Sequence, residues 1–127
     1  MDVLASRVLL CPSDFERSRR FYAEALGLAV FREWGEGLDG GVVFYIGAGL
    51  LELSGAATEP PSDAVRLLLQ VRDVRHEWAR LEAMGVQIED EPETKPWGLV
   101  EMVIRDPDGL AIILVEVPPN HPQRQAH

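Results

Sequence analysis

The chain has 127 residues, a hydrophobic fraction of 46%, a charged fraction of 26% and a formal net charge of −9. This length is enough for one ordinary domain with a hydrophobic core, and the negative charge argues against binding to nucleic acid or to an anionic membrane surface. The sequence has no long apolar run and no signal-peptide pattern, and its one cysteine, Cys11, cannot form an internal disulfide, so we expect a cytoplasmic protein.

The first half of the chain predicts one β-α-β-β-β unit. A strand begins at Arg7, and Ser13-Asp14-Phe15-Glu16 matches a capping box, in which the serine hydroxyl and the glutamate carboxylate satisfy free backbone donors. The amphipathic helix that follows ends at Gly27, which suits the left-handed position after a helix. Three strand-like segments come next, at 28–34, 41–46 and 49–54.

The second half repeats this pattern. The stretch RLLLQVRD from Arg66 corresponds to RVLLCPSD from Arg7, and Asp73 corresponds to Asp14. Strand-like segments again follow the helix, at 86–90, 99–105 and 110–117. A period near half of the chain length indicates two copies of one supersecondary unit.

We therefore predict an α+β fold in which two β-α-β-β-β units form a single domain, residues 1–127. Unit 1 is expected at about 5–56 and unit 2 at about 64–117. The Pro- and Gln-rich tail at 118–127 is expected to be mobile.

Asp106-Pro107-Asp108-Gly109, ahead of the last strand, has two interpretations. The aspartates could belong to an oxygen-rich metal loop, but a calcium loop needs more oxygen ligands at defined spacing and the next residues are apolar. Proline fixes φ, glycine accepts a positive φ and aspartate bonds back to the backbone. The segment therefore predicts a tight turn.

Alternation along the strands assigns their two faces. The all-apolar sets, such as Val8 with Leu10 and Ile112 with Leu114, are expected under the helices. The opposite, concave face is expected to carry the remaining sets, which contain the charged residues: Arg7, Leu9, Cys11, Leu50, Glu52, Ser54, Arg66, Leu68, Gln70, Ala111, Ile113 and Val115. Because no histidine lies near Cys11 in the repeat pattern, we interpret this cysteine as a small buried hydrophobic residue.

The repeated units, the SDFERSRRFYAEALGL helix, KPWG at 95–98 and DPDG at 106–109 together resemble the vicinal oxygen chelate superfamily. This superfamily contains glyoxalase I, extradiol dioxygenases, fosfomycin-resistance enzymes and bleomycin-resistance proteins. The resemblance covers residues 5–117. It implies that the units curl into a cup-shaped open barrel, and that the protein is a homodimer.

The resemblance also implies where a metal would be bound. The four ligand positions of metal-dependent members correspond here to Arg7, Glu52, Arg66 and Ile113. Of these, Glu52 alone matches a ligand type, because arginine is permanently cationic and only donates hydrogen bonds. The three histidines form no metal triad in the sequence: His76, His121 and His127. We therefore predict no family metal site and no cofactor.

Glu52 has two interpretations on this face. As a functional residue it would be a general base or the partner of a cationic ligand group. As a structural residue it would form an ion cluster with Arg7 and Arg66, which we favour because an unpaired buried charge costs several kcal/mol. The two arginines could instead bind an anionic ligand by bidentate contacts. The sequence leaves the sign of the ligand's charge open.

Aromatic residues could line the cup. Trp97, in KPWG, resembles an aromatic residue that often lines the pocket of the family. Trp34, Phe44 and Tyr45 are further candidates, although packing in the core or a dimer interface is the favoured interpretation for these three. Aromatic walls suit planar or ring-containing ligands.

Three functions fit these residues. The leading hypothesis is a metal-free protein that binds or sequesters a small aromatic or bulky molecule through Arg7, Glu52, Arg66, Trp97, Phe44 and Ile113. The competing hypothesis is a lyase, isomerase or dioxygenase that uses Glu52 with other metal ligands or with none. The third is an interaction module whose cup is filled by its own side chains.

Overall fold

The computed structural model describes residues 1–125 and divides into two compact units, Met1–Pro60 and Pro61–His127. Each unit consists of a four-stranded mixed sheet and one main helix, and has the α+β architecture that the sequence repeat predicts. No helix in the described part of the chain has the length and apolar character that a membrane crossing requires.

In unit 1 the sheet order is β1-β4-β3-β2, with β1 parallel to β4 and the other pairs antiparallel. The strands are β1 (Val8–Leu10), β2 (Val30–Trp34), β3 (Gly41–Ile46) and β4 (Gly49–Ser54). The main helix is α1 (Phe15–Arg20), which continues into a π-helical turn at Phe21–Ala25, and a 3-10 turn lies at Gly37–Asp39.

Helix α1 begins differently from the predicted capping box. Asp14 is the N-cap residue, and its carboxylate accepts a hydrogen bond from the backbone N–H of Arg17 at 3.1 Å. The hydroxyl of Ser13 instead accepts a hydrogen bond from the Arg17 guanidinium at 3.2 Å. Aspartate and serine are both favoured N-cap residues. The helical backbone begins after Asp14, so the Asp14 carboxylate takes the role predicted for the Ser13 hydroxyl.

In unit 2 the sheet order is β5-β8-β7-β6, the same connectivity as in unit 1. The elements are β5 (Arg66–Gln70), α2 (Val74–Ala83), β6 (Ile88–Thr94), β7 (Val100–Arg105), β8 (Ala111–Glu116) and α3 (Pro122–Gln125). Strand β6 runs four residues beyond its predicted end, because a hairpin joins it to β7. In this hairpin the N–H of Lys95 donates to the carbonyl of Leu99.

The hydrophobic core lies on the face of each sheet that its own helix covers. In unit 1, Val42, Phe44, Leu51 and Leu53 are at most 1% exposed, and the ring of Tyr22 lies 6.2 Å from that of Phe44. Phe44 is therefore a core residue, and its inclusion among the ligand-binding residues is corrected. In unit 2 the predicted burial of Ile112 and Leu114 is confirmed, and they pair across the sheet with the equally buried Ile104 and Met102, respectively.

The turn at residues 106–109 is confirmed. A carboxylate oxygen of Asp106 accepts hydrogen bonds from the backbone N–H groups of Asp108, at 2.9 Å, and Leu110, at 2.8 Å. Gly109 has a φ of 91°, a conformation that favours glycine. The two aspartates of DPDG thus belong to a folded turn that starts strand β8.

The expected burial of Cys11 is wrong. Cys11 is exposed, because it follows the short edge strand β1 and no helix covers it. The tail contains the helical turn α3, and His121 bonds through Nε2 to the carbonyl of Trp97 at 2.9 Å. His127 lies outside the described residues.

Candidate functional site

Each sheet has a second face, here called the helix-free face, opposite the one that its own helix covers. In unit 1 the register pairs Leu9 with Glu52, which places Glu52 on this face together with Arg7. In unit 2 the register pairs Leu68 with Ile113, which places Ile113 on the corresponding face together with Arg66. These four residues thus lie on the sheet faces on which the sequence predicted them.

Glu52 and Arg7 form an ion pair. The Arg7 Nη1 lies 2.7 Å from one carboxylate oxygen of Glu52, and the hydroxyl of Ser54 donates to the other oxygen at 2.7 Å. The side chain of Glu52 is 16% exposed and that of Arg7 is 39% exposed. Both oxygens of the carboxylate therefore have a hydrogen-bond donor from unit 1 itself.

The surroundings of Glu52 keep its carboxyl group ionised. The hydrogen bond from Ser54 lowers the pKa of Glu52 most, partial burial opposes that shift, and the hydrogen bond and charge of Arg7 and the charge of Arg32 lower it further. The net result is a pKa below the ordinary value of 4.5. Glu52 is thus a stable anion at neutral pH.

A bulge in β2 adds residues to this face that the sequence analysis missed. The register of β2 against β3 shifts between Val30 and Arg32, so that Arg32 pairs with Val43. Val43 in turn pairs with Glu52 on β4, and the three residues form one row across the sheet. Because a bulge changes the side to which later residues point, simple alternation from the start of β2 could not place Arg32.

Trp34 and Arg32 are stacked on the sheet. Trp34 pairs with Gly41 on β3. A Cβ atom at Gly41 would overlap the ring of Trp34, so the ring lies directly against the glycine backbone. The guanidinium of Arg32 lies 5.1 Å from the centre of the Trp34 ring, which is a cation–π arrangement. Gly41, Trp34 and Arg32 thus form three layers, which we call the Arg32 stack.

A second aromatic group lies further along β3. The ring of Phe31, the extra residue of the bulge, lies 5.3 Å from that of Tyr45 in an edge-to-face arrangement. Phe31 is 45% exposed and Tyr45 is 47% exposed. Tyr45 is therefore not a core residue of the single chain, while packing in a dimer interface stays a prediction for it.

The predicted site residues of unit 2 have different surroundings. Arg66 is exposed and Ile113 is half-buried. Trp97 is 58% exposed, and its indole N–H donates to a carboxylate oxygen of Glu101 at 2.6 Å. This bond fixes the orientation of an accessible indole ring in the hairpin between β6 and β7.

The side chains at the predicted metal positions do not fit a divalent cation. In unit 1 the position offers one carboxylate, already bonded to Ser54 and to Arg7, whose guanidinium has no lone pair to give a metal. In unit 2 the corresponding positions hold Arg66 and the hydrocarbon side chain of Ile113. Among residues 1–125, no three His, Cys, Asp or Glu side chains are grouped as metal ligands.

Comparisons with known proteins agree with this fold. A family model described as "Glyoxalase/Bleomycin resistance protein/Dioxygenase superfamily" matches residues 5–114. No curated protein matches the sequence.

Similar solved structures include proteins described as binders and as enzymes. The antibiotic binding protein TnmS3 from Streptomyces sp. CB03234 is 27% identical, with a TM-score of 0.76 over 92% of this chain and 98% of that one. The protein SMU.1112c is 28% identical, with a TM-score of 0.75 over 91% and 99%. A lactoylglutathione lyase from Agrobacterium tumefaciens is 21% identical, with a TM-score of 0.68 over 91% and 94%, a likeness that concerns the fold alone.

Proposed function

Since this chain belongs to the Glyoxalase/Bleomycin resistance protein/Dioxygenase superfamily, we propose that it is a cytoplasmic, homodimeric, metal-free protein that binds and sequesters a small aromatic or bulky molecule. The observation that carries this proposal is the helix-free face of unit 1. There, the exposed pair of Phe31 and Tyr45 and the half-buried Trp34 beneath Arg32 share one sheet face with the Arg7–Glu52 pair.

The spacing of these groups suits a flat ligand. Residues on one face of a strand are about 6.8 Å apart, so Tyr45 and Gly41, on which Trp34 lies, are separated by roughly 14 Å along β3. Val43, midway between them, is completely buried. A ligand would therefore meet the rings of Phe31 and Tyr45 at one end and the guanidinium of Arg32 above Trp34 at the other, a combination of apolar walls and a few polar groups that is typical of small-molecule sites.

The state of Glu52 favours binding over catalysis. A general base works best with a pKa near the working pH, and enzymes raise a glutamate pKa to reach that range. In this chain the hydrogen bonds from Ser54 and Arg7 lower the pKa of Glu52 instead. Glu52 would then be a weak base whose role is to hold Arg7. The alternative of a lyase, isomerase or dioxygenase that uses Glu52 has no comparable support.

The proposal extends to unit 2: Arg66, Trp97 and Ile113 are proposed as further ligand-binding residues. They lie on the helix-free face or beside it, as Arg7 and Glu52 do in unit 1. The antibiotic-binding description of TnmS3, at 27% identity, supports a sequestering role for this chain.

The proposal is tested by titrating the protein with 2-naphthamide, a neutral planar probe, using isothermal titration calorimetry. Tyr45→Ala is expected to weaken binding by about 2- to 10-fold, because an aromatic pair contributes about 0.5–1.5 kcal/mol beyond its buried area. Leu38→Ala is the matched control, since Leu38 is an exposed apolar residue in the 3-10 turn of the same unit. Absence of binding would favour the module whose cup is filled by its own side chains.

A further inference from the structure

We propose that Arg32 determines ligand choice, and that the ligand is a planar aromatic molecule carrying an acidic group that is ionised at neutral pH. This inference rests on the proposed function and adds the sign of the ligand's charge and the residue that recognises it.

The carboxylate of Glu52 is already occupied. One of its oxygens accepts from Arg7 and the other from Ser54, both at 2.7 Å. The guanidinium of Arg7 already compensates the negative charge of Glu52, and it would repel a cation that approaches the carboxylate. The Arg7–Glu52 pair therefore contributes little attraction for a cation.

The guanidinium of Arg32 has no such partner. Within residues 1–125 it makes no hydrogen bond or ion pair, and its side-chain contact is with the face of Trp34 at 5.1 Å. Its N–H groups are therefore available to donate to a ligand. These N–H groups form a fork that matches both oxygens of a carboxylate.

The charges on this face add up to one excess positive charge. Arg7 and Arg32 contribute two positive charges and Glu52 contributes one negative charge, and Arg32 is close enough to Glu52 to affect its pKa. The net charge of −9 belongs to the whole chain and acts mainly on the approach of a ligand, screened over about 8 Å in physiological salt. Direct contact with the face is governed by its local positive charge.

The Arg32 stack also fixes where the acidic group would lie. Trp34 is held against the backbone at Gly41, so the guanidinium above it has a defined position. Phe31 and Tyr45 lie on the other side of the Arg32–Val43–Glu52 row. A ligand with its ring system against Phe31 and Tyr45 would direct an acidic substituent toward Arg32.

The experiment compares three probes of similar shape: 2-naphthoate, 2-naphthamide and 2-naphthylmethylammonium. Isothermal titration calorimetry at neutral pH is expected to show that the wild-type protein binds the naphthoate about tenfold or more tightly than the amide, which corresponds to one charge-assisted interaction. The ammonium probe is expected to bind most weakly.

The variant Arg32→Gln is expected to remove the preference for the naphthoate while leaving the affinity for the amide within about twofold, since only the charge-assisted contact is lost. Arg32→Lys should retain part of the preference, because lysine keeps the charge and loses the fork. The control is Arg75→Gln, an exposed arginine on helix α2 that should change neither affinity.

The outcomes distinguish failure of the inference from failure of the proposed function. Equal affinities for the three probes, or a preference for the ammonium, would overturn the inference and leave the proposed function standing. A naphthoate preference that persists in Arg32→Gln would show that another cation selects the ligand, and would also overturn it. No binding of any probe contradicts both the inference and the proposed function.

Discussion

At the scale of single residues, the Arg7–Glu52 pair is expected to be coupled but weak. Both partners remain partly exposed, at 39% and 16% of their side-chain surfaces, so solvent screens their attraction. A double-mutant cycle with Glu52→Gln and Arg7→Met, measured by urea unfolding, should give a coupling free energy of about 0.5 kcal/mol. Strict additivity would show that the two side chains do not meet in solution.

The pH dependence of Glu52 has a defined sign. Its pKa is lower in the folded chain than the ordinary value of 4.5, so folding favours the ionised carboxylate. The resulting stabilisation is fully present above pH 4.5 and is lost as the pH falls through the lower, folded-state pKa. The difference in unfolding free energy between wild type and Glu52→Gln should therefore shrink on going from pH 7 to acid. A difference that grows in acid would contradict this assignment.

The sequence predicts some residues of the site better than others, for physical reasons. Arg7, just before β1, and Glu52, within β4, are each the one charged residue in an apolar segment, so their face can be assigned from the period of two. Phe44 lies in GVVFYI, where both faces are apolar, and the pattern could not show that it is buried. Arg32 depends on the bulge in β2, which has no signal such as a glycine in its FREW segment.

At the scale of the elements, the Arg32 stack depends on a glycine in β3. Gly41→Ala would place a methyl group in the space that the Trp34 ring occupies, and overpacking of this kind typically costs about 1–3 kcal/mol. Gly49→Ala is the matched control, because a Cβ there meets its nearest atom at an ordinary 3.5 Å. Urea unfolding should show a clear loss of stability for the first variant and a small change for the second.

Equal effects of the two glycine substitutions would contradict the position of the Trp34 ring on Gly41. Tryptophan fluorescence gives an independent check, since displacement of Trp34 changes its surroundings. Three tryptophans are present, so the comparison uses each variant in a Trp78→Phe, Trp97→Phe background.

The helices and sheets themselves are largely predictable from sequence. The repeat from Arg66 gives the second unit the connectivity of the first, and Asp14 and Asp73 cap the two helices in the same way. The limits of β6 were harder to predict, because its acidic stretch resembles a solvated loop. Pairing with β7 across the Lys95–Leu99 hairpin keeps this polar segment in the sheet.

At the scale of the whole molecule, the purified protein is expected to retain no stoichiometric divalent metal. The reason is the side chains at the family's ligand positions: Arg7 and Arg66 cannot donate a lone pair, and Ile113 is a hydrocarbon. Elemental analysis after dialysis tests this expectation. About one zinc, nickel, manganese or iron per chain would contradict it and would point to ligands outside these positions.

The ion cluster predicted from the sequence includes Arg66 of unit 2 as well as Arg7. A second double-mutant cycle, with Glu52→Gln and Arg66→Met, tests whether this arginine meets the carboxylate. A double mutant that is less damaging than the sum of the single substitutions would show that it does. Additive effects in this second cycle, together with coupling in the Arg7 cycle, would show that the ion pair involves residues of unit 1 alone.

The last prediction is that the chain forms a homodimer. Leu9 and Leu68, equivalent residues in the two units, are 57% and 56% exposed on the helix-free faces of their sheets. A partner chain that covers such surfaces would remove apolar area from water, at about 25 cal/mol for each Å². Stable interfaces typically bury about 800 Å² on each partner.

Sedimentation equilibrium at micromolar concentration is therefore expected to give about twice the chain mass of 14.1 kDa. Leu68→Glu should shift the equilibrium toward the single chain, because an interface would have to bury an unpaired carboxylate. Leu38→Glu is the control, since Leu38 is 83% exposed in the 3-10 turn between β2 and β3 and not on a strand. A species of 14.1 kDa alone would rule out the homodimer at that concentration, and ligand binding would then have to be achieved within one chain.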